Sequence, residues 1–387
     1  MRKLSSSPGV AALAAVTLTT LALTTAALTT PAHAEGAVLH AGSASAVPGS
    51  YIVKLKASAE TTAAESVGAR FGGQVTREFA FFGGFAATLT PRQARRLAAD
   101  PAVEYVEQDQ VVRAHTTQLN APFGLDRIDQ RALPVDGRYS YTTTGARTRA
   151  YVIDTGVRST HAELAGRSCA GYDVVDNDTV PQDDNGHGTA IASLIAGRTH
   201  GVAKEALVCG VRVLNGSGSG TTAGVIAGID WVARNHVKPA SANLSLGGGA
   251  STAMDDAVRR LIAAGVTASV TAGGSNANAA NFSPARVIEA ITSGSSTRTD
   301  TRATFSNYGA VVDVYAFGVG ITVAWHTGDT ATATLSGTSL STAYVTGVTL
   351  RYLQANPAAT PAQVHSAVVT AATALSWGRL LYWSPTM

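Results

Sequence analysis

Ala150-Tyr151-Val152-Ile153-Asp154-Thr155-Gly156 is the stretch from which the fold can be read. A short apolar run that ends on a carboxylate and a glycine turn reads as a strand buried on both faces. Strands of that kind build parallel sheets covered by helices. Comparable runs recur at Leu207–Leu214, Ala242–Leu246 and Val266–Thr271. Helical stretches lie at about Thr189–Ala196, Thr222–Arg234, Ala253–Ala264 and Thr338–Gln354. The alternation predicts an α/β fold with a doubly wound, mostly parallel sheet. Ligands of such sheets bind beyond the carboxyl ends of the strands, so Asp154 sits where chemistry is expected.

Upstream the texture changes. Ser50–Leu55, Gly73–Phe79, Phe82–Leu89 and Val103–Gln108 read as strands, with a break at Gly83-Gly84. Ala59–Phe71 and Pro91–Ala99 read as helices, the second with proline in its first turn. The order β-α-β-β-α-β is a split βαβ plan, a small ferredoxin-like α+β domain of about 60 residues that is marginal alone. Glu35–Gly49 is small and polar and reads as a linker. Before it, Arg2 and Lys3 precede Val10–Leu28, which holds only Ala, Val, Leu and Thr, and then Pro31-Ala32-His33-Ala34. A positive start, an apolar stretch and an A-x-A end make a secretory signal cut after Ala34. A transmembrane anchor is the alternative, disfavoured by the threonines and the cleavage site. No later stretch approaches about 20 apolar residues, so the mature chain is expected to be soluble, exported and free of the membrane.

The 387 residues carry Lys+Arg 29 against Asp+Glu 26, a net charge of +3. That surplus, with no basic block, gives no nucleic-acid footprint. Charged residues are 14% of the chain, against roughly 25% on average, which excludes long charged disordered tails. Two cysteines exclude a disulfide-stapled miniprotein and a four-thiolate zinc site. Outside the cell Cys169 and Cys209 have the chance to pair, but spacing alone does not bring their Cα atoms together.

Three local sequences hold candidate catalytic groups. Asp154-Thr155-Gly156 follows the buried strand; its bland alternative is a turn or helix cap. Asp-Thr-Gly is also an aspartic-protease signature, but that chemistry shares a proton between two carboxylates. The chain has one such motif, so that reading fails without symmetric dimerisation. Asn185-Gly186-His187-Gly188-Thr189 sets an imidazole between glycines at a helix start. Ser336-Gly337-Thr338-Ser339-Leu340 opens an apolar helix. A serine there is by default a cap, yet the same place supplies backbone N–H groups and a positive dipole end for a developing oxyanion. Ser341 stands where G-x-S-x-G needs glycine, which disfavours an α/β-hydrolase elbow. Together the groups come in the order Asp, His, Ser, one of the chain orders of the hydrolytic triad. Gly216-Ser217-Gly218-Ser219-Gly220 only superficially resembles a phosphate cradle, lacking the G-x-G-x-x-G spacing. The chain has no H-E-x-x-H of a zinc protease.

At this point the residues resemble the subtilisin-like serine proteases (peptidase family S8), on the proteinase K and aqualysin branch. The stretches Ala150–Gly156, Asn185–Thr189, Gly201–Lys204, Ser245–Gly249, Ser306–Gly309 and Ser336–Ser339 match in order and spacing. Phe123–Arg131 resembles the start of the mature enzyme, and Tyr51–Glu107 the inhibitory propeptide. The resemblance implies a signal at 1–34, a propeptide at 35–115 with its core at 50–108, and a catalytic domain at 116–387. It implies a self-processing zymogen cut near His115, inhibited by its own propeptide and acting as a monomer on protein or peptide substrates. Ser339 would attack, His187 would move the proton, and Asp154 would hold the imidazole. Ser245-Leu246-Gly247 would pair with an extended substrate. Thr271-Ala272-Gly273 would line an uncharged S1 wall that favours apolar P1 residues. No cofactor serves catalysis; a structural Ca²⁺ would take the Asp313 carboxylate and carbonyls near Ile288 and Ala290.

The chain also departs from the family. Gapless alignment puts Gly274 where the oxyanion asparagine belongs, with Asn276 two residues later. Loss of that asparagine in this family costs about 10²–10³ in kcat, and leaves the Ser339 N–H as donor. Ala190 replaces a usual histidine, Phe317 a usual proline, and Leu340-Ser341-Thr342-Ala343-Tyr344 the usual Met-Ala-Thr-Pro-His. The branch's cysteine positions are empty, for example at Asp184 and Gly216. Two readings stay open: a secreted serine endopeptidase, and a catalytically impaired or inactive homologue that binds peptides.

Overall fold

In the computed structural model, which describes residues 35–43, 46–57, 64–111 and 116–384, Arg149–Asp154 lies inside a nine-stranded sheet. The sheet order is Thr373–Leu375, Gly378–Leu380, Val314–Phe317, Ile291–Ser296, Thr267–Thr271, Ala240–Leu244, Arg149–Asp154, Leu207–Arg212, Tyr172–Asp173. Every neighbouring pair is parallel except the outermost, Thr373–Leu375 with Gly378–Leu380. The chain builds outward from Arg149–Asp154 to one side, then returns to lay Ala240–Leu244 on the other. That reversal makes a crevice at the carboxyl ends of these strands.

Period-two alternation sorts the core. Ala150 and Val152 pack with the helices His187–Ala196 and Thr338–Ala355, whereas Tyr151 and Ile153 pack with Thr222–Asn235 and Thr252–Ala263. The sequence set strand ends by hydrophobicity, and the structure moves several. The strand expected at Ala242–Leu246 runs Ala240–Leu244, leaving Ser245 and Leu246 beyond the sheet edge. The helix expected from Thr189 begins at His187, because Gly186 takes φ +112° and turns the chain one step earlier. The polar strand Ile291–Ser296 was not read from the sequence; it has no apolar run, and neighbours bury all six residues.

Among the described residues, those up to Val111 form one compact unit and those from Thr116 another. The first is a five-stranded sheet with the helices Ala64–Arg70 and Pro91–Ala98. Ala46–Leu55 lies centrally, antiparallel to Gly84–Thr88 and to Val103–Gln110. The linker reading of Glu35–Gly49 is corrected: Val38–Leu39 adds a parallel edge strand, and the long strand already begins at Ala46. Backbone hydrogen bonds recruit these residues, which side-chain polarity does not report. The expected signal, the start of the helix expected from Ala59, and His115 lie outside the described residues.

Candidate active site

Asp154 ends its strand fully buried, and its Oδ1 lies 2.7 Å from His187 Nδ1. The same oxygen accepts the Thr155 N–H at 2.8 Å. Burial pushes the His187 imidazole down, but the Asp154 charge and hydrogen bond, with help from Asp183, raise it above its ordinary value. A ring held by a buried carboxylate on Nδ1 presents Nε2 as a proton acceptor.

The loop that carries His187 is organised by a residue the sequence reading passed over. Asp183 is buried, and its Oδ1 accepts the Thr155 hydroxyl and the Asn185 and Gly186 amides. Its Oδ2 accepts the amide and hydroxyl of Thr189. The Thr155 hydroxyl in turn accepts the Gly188 N–H at 2.9 Å. The helix has no side-chain cap on its own Gly186, so Asp183 and Thr155 seal its first turn instead. An aspartate two residues before Asn-Gly-His is the available signal, since Asp readily binds amides ahead of it.

Ser339 is the second residue of Thr338–Ala355, whose N-cap Gly337 also offers no side-chain bond. Its hydroxyl donates to the Ser245 carbonyl at 3.2 Å rather than to His187, and the Ser245 hydroxyl donates back to the Ser339 carbonyl at 3.0 Å. This reciprocal pair ties the serine helix to the loop after Ala240–Leu244. Along its length the helix is stitched to the sheet by buried polar pairs: Thr271–Thr338, Ser293–Thr342, Ser295–Ser341, Asn243–Thr346 and Ser241–Thr349. The departure at Ser341 is thus accommodated by a hydroxyl partner on the sheet, Ser295.

His187 and the run Ser245-Leu246-Gly247 border one cleft of about 600 Å³, closed opposite by Ser217–Thr222. Ser245 and Leu246 are buried and Gly247 is exposed. Thr271-Ala272-Gly273 continues from the strand end at Thr271, but the Ala272 side chain packs into a small core with Ala279 and Ala285. Any contact from Ala272 to a ligand is therefore through its backbone. Asn307 shapes the next turn, accepting the Ser275 and Ala277 amides and donating to the Ala272 carbonyl. Gly274 is exposed, and a Cβ there would meet nothing within 4 Å. Asn276 is exposed, with φ +50°, and its Oδ1 accepts from Arg302 at 3.0 Å.

Away from this crevice, Asp313 Oδ2 accepts the Thr292 N–H, and Oδ1 lies 3.4 Å from His365 Nε2. Ile288 is 72% exposed and Ala290 is buried. Among the described residues no three His, Cys, Asp or Glu side chains gather as for a metal. Cys169 and Cys209 are joined, with Cα atoms 4.8 Å apart. No helix among the described residues is long and apolar enough to cross a membrane.

An α/β sheet with a carboxylate, an imidazole and a serine helix converging on its carboxyl-end crevice defines a subtilisin-like protein. Residues 150–381 match the Subtilase family and residues 50–115 match Peptidase inhibitor I9. The chain is 49% identical over 290 residues to an extracellular serine proteinase of Thermus sp. strain Rt41A, covering 75% of this chain and 71% of the relative. It is 51% identical over 296 residues to alkaline serine exoprotease A of Vibrio alginolyticus, covering 75% of this chain and 55% of that one. A crystal structure of a cold adapted subtilisin-like serine proteinase is 50% identical with TM-score 0.66, covering 68% of this chain and 98% of that chain. The chain belongs to the subtilase family: it is an extracellular subtilisin-like serine endopeptidase with an inhibitor-type propeptide, and its catalysis needs no cofactor.

Proposed function

We propose that this endopeptidase cuts peptide bonds with Ser339, His187 and Asp154 and processes itself from a zymogen. The observation that carries the reading is the 2.7 Å contact between buried Asp154 and His187, which come from separate elements. The Ser339 hydroxyl leaves the Ser245 carbonyl, passes its proton to His187 Nε2, and its oxygen adds to the scissile carbonyl. His187 returns the proton to the leaving amine, and water then releases the acyl group by the same exchange. Asp154 keeps the tautomer and stabilises the imidazolium. An extended substrate pairs with Ser245-Leu246-Gly247, and the uncharged surroundings of Thr271-Ala272-Gly273 favour an apolar P1 side chain.

The propeptide spans 35–115 after a signal at 1–34, inhibits its own catalytic domain at 116–387 until cut, and the product is a monomer. Calcium fits by donor class: the Asp313 carboxylate and backbone carbonyls near Ile288 and Ala290 are hard oxygens. The ion would be structural, with His365 competing for the same carboxylate. A chelator lowers the melting temperature of the wild type and not of Asp313→Asn; equal shifts remove calcium from Asp313.

Intact mass of the secreted product, wild type beside Ser339→Ala, tests the main reading. Loss of the propeptide only in the wild type supports it. Processing of neither chain, with no cleavage of a peptide substrate, leaves the peptide-binding homologue in its place.

A further inference from the structure

We propose that the pocket between Arg302, Tyr308, Tyr315 and Trp377 is a second ligand site, which takes a carboxylate carried next to an aromatic or apolar group. The pocket has a volume of about 410 Å³ and shares no lining residue with the cleft beside His187. That is room for a phenyl ring with a carboxylate, at the small end of ligand pockets. A peptide cut after an apolar residue presents this chemistry at its new C-terminus. That source, though not the pocket itself, rests on the function proposed above.

The walls are rings. Buried Tyr315, on the strand Val314–Phe317, has its ring between Gly294 and Gly378. A Cβ would stand 2.4 Å from that ring at Gly294 and 2.9 Å at Gly378, so glycine at both places makes the room. Trp377 meets the ring edge-on with centres 4.9 Å apart, and exposed Tyr308 lines the same pocket. The Trp377 indole N–H is spent on the Asp300 carbonyl at 3.1 Å, which leaves its ring face for a ligand. Arg302 brings the one charge among the lining residues, and no carboxylate among the described residues pairs with it. Its Nη1 donates to Asn276 Oδ1 at 3.0 Å and to the Ser306 and Ala303 carbonyls. Its guanidinium lies 5.1 Å from the centre of the Tyr308 ring. Nε and Nη2 have no protein acceptor among the described residues, and the Tyr315 hydroxyl has no protein partner there either. Burial pushes that hydroxyl's pKa up against the pull of Arg302, so it keeps its proton and can donate. Donors without acceptors, one of them cationic, select an anion, and a guanidinium fork matches a carboxylate. The rings select the group that carries it. The same charge turns away a cation, for which three rings would otherwise make a cage.

The test is isothermal titration of the purified secreted protein with N-acetyl-L-phenylalanine and with its amide, which lacks the negative charge. The acid should bind, and the amide should bind about 10-fold more weakly or worse. Arg302→Gln should weaken the acid about 10-fold and leave the amide unchanged, and Tyr315→Phe should weaken the acid about 3-fold. No binding of the acid, or equal binding of acid and amide, overturns the proposal. Variants that bind the acid like the wild type overturn it too, and place the acid elsewhere, such as in the cleft beside His187. Should Arg302→Gln not fold, Tyr315→Phe and Trp377→Leu, each titrated with acid and amide, read the same site. N-acetyl-alanyl-alanyl-phenylalanine beside 3-phenylpropionate separates the sources. Tighter binding of the peptide supports a cleavage product; equal binding overturns that source in favour of a free aromatic acid. Titration needs no cleavage, so a protein that binds the acid without Ser339-dependent cleavage keeps the site and loses the proposed function. An active protein that does not bind loses only the present inference.

Discussion

The helices His187–Ala196 and Thr338–Ala355 enter the same crevice but are held by opposite chemistry. On the histidine side, one buried carboxylate, Asp183, gathers five donors and adds negative charge near the ring. On the serine side a row of neutral hydroxyl and amide pairs does the fastening. The contrast follows what each side must tolerate. Negative charge favours an imidazolium, whereas a carboxylate near an oxyanion would oppose it. Neutral hydroxyls fix the serine helix without that penalty.

Asp154→Asn should break the histidine side most. It keeps the shape but loses the charge and the tautomer, so kcat should fall about 10⁴-fold; steady-state kinetics showing less than 10-fold would remove Asp154 from its role. Asp183→Asn comes next. It leaves amides and hydroxyls around a neutral group, costing about 3 kcal/mol in urea unfolding. It should also move the acid limb of kcat/KM to lower pH, since Asp183 helps raise His187. A stability loss with an unmoved limb would reduce Asp183 to a loop anchor.

On the serine side, Ser295→Ala and Ser341→Ala should each cost about 1 kcal/mol, and the double variant less than their sum, because they share one bond. Their acid limbs should stay put; a shift would erase the contrast between the two sides. The smallest effect concerns pH in the wild type. His187 lies above its ordinary 6.5 when folded. Its contribution to stability is then full below 6.5 and fades as pH rises through the folded value. Activity runs the other way, since the general base must be neutral. Melting temperature against pH, wild type minus His187→Ala, should show this decline; a flat difference would mean that Asp154 does not favour the charged ring.

The parallel sheet was legible because Ala150–Ile153 is apolar on both faces and short runs of buried type alternate with helical stretches. The candidate triad was legible because glycines flank His187 and precede Ser339 at helix starts. Asp183 was missed although it stands two residues before Asn185, since its partners Thr155 and Thr189 are selected only by folding. Val38–Leu39 was missed because an edge strand is recruited by backbone pairing with Val106 and Glu107, whatever its side chains. Ile291–Ser296 was missed because Ser and Thr look like loop until their hydroxyls find helix partners.

By itself the sequence determined the α/β plan, the order Asp, His, Ser, and the absence of an amide at Gly274, since these depend on local pattern and residue identity. Only the tertiary structure decided that Asn276 turns to Arg302, that Asp183 seals the histidine helix, and that Thr271 meets Thr338 across 67 residues. Hydrogen bonds reach about 3 Å, so their partners are chosen by where the backbone brings each group, and that is a property of the folded chain.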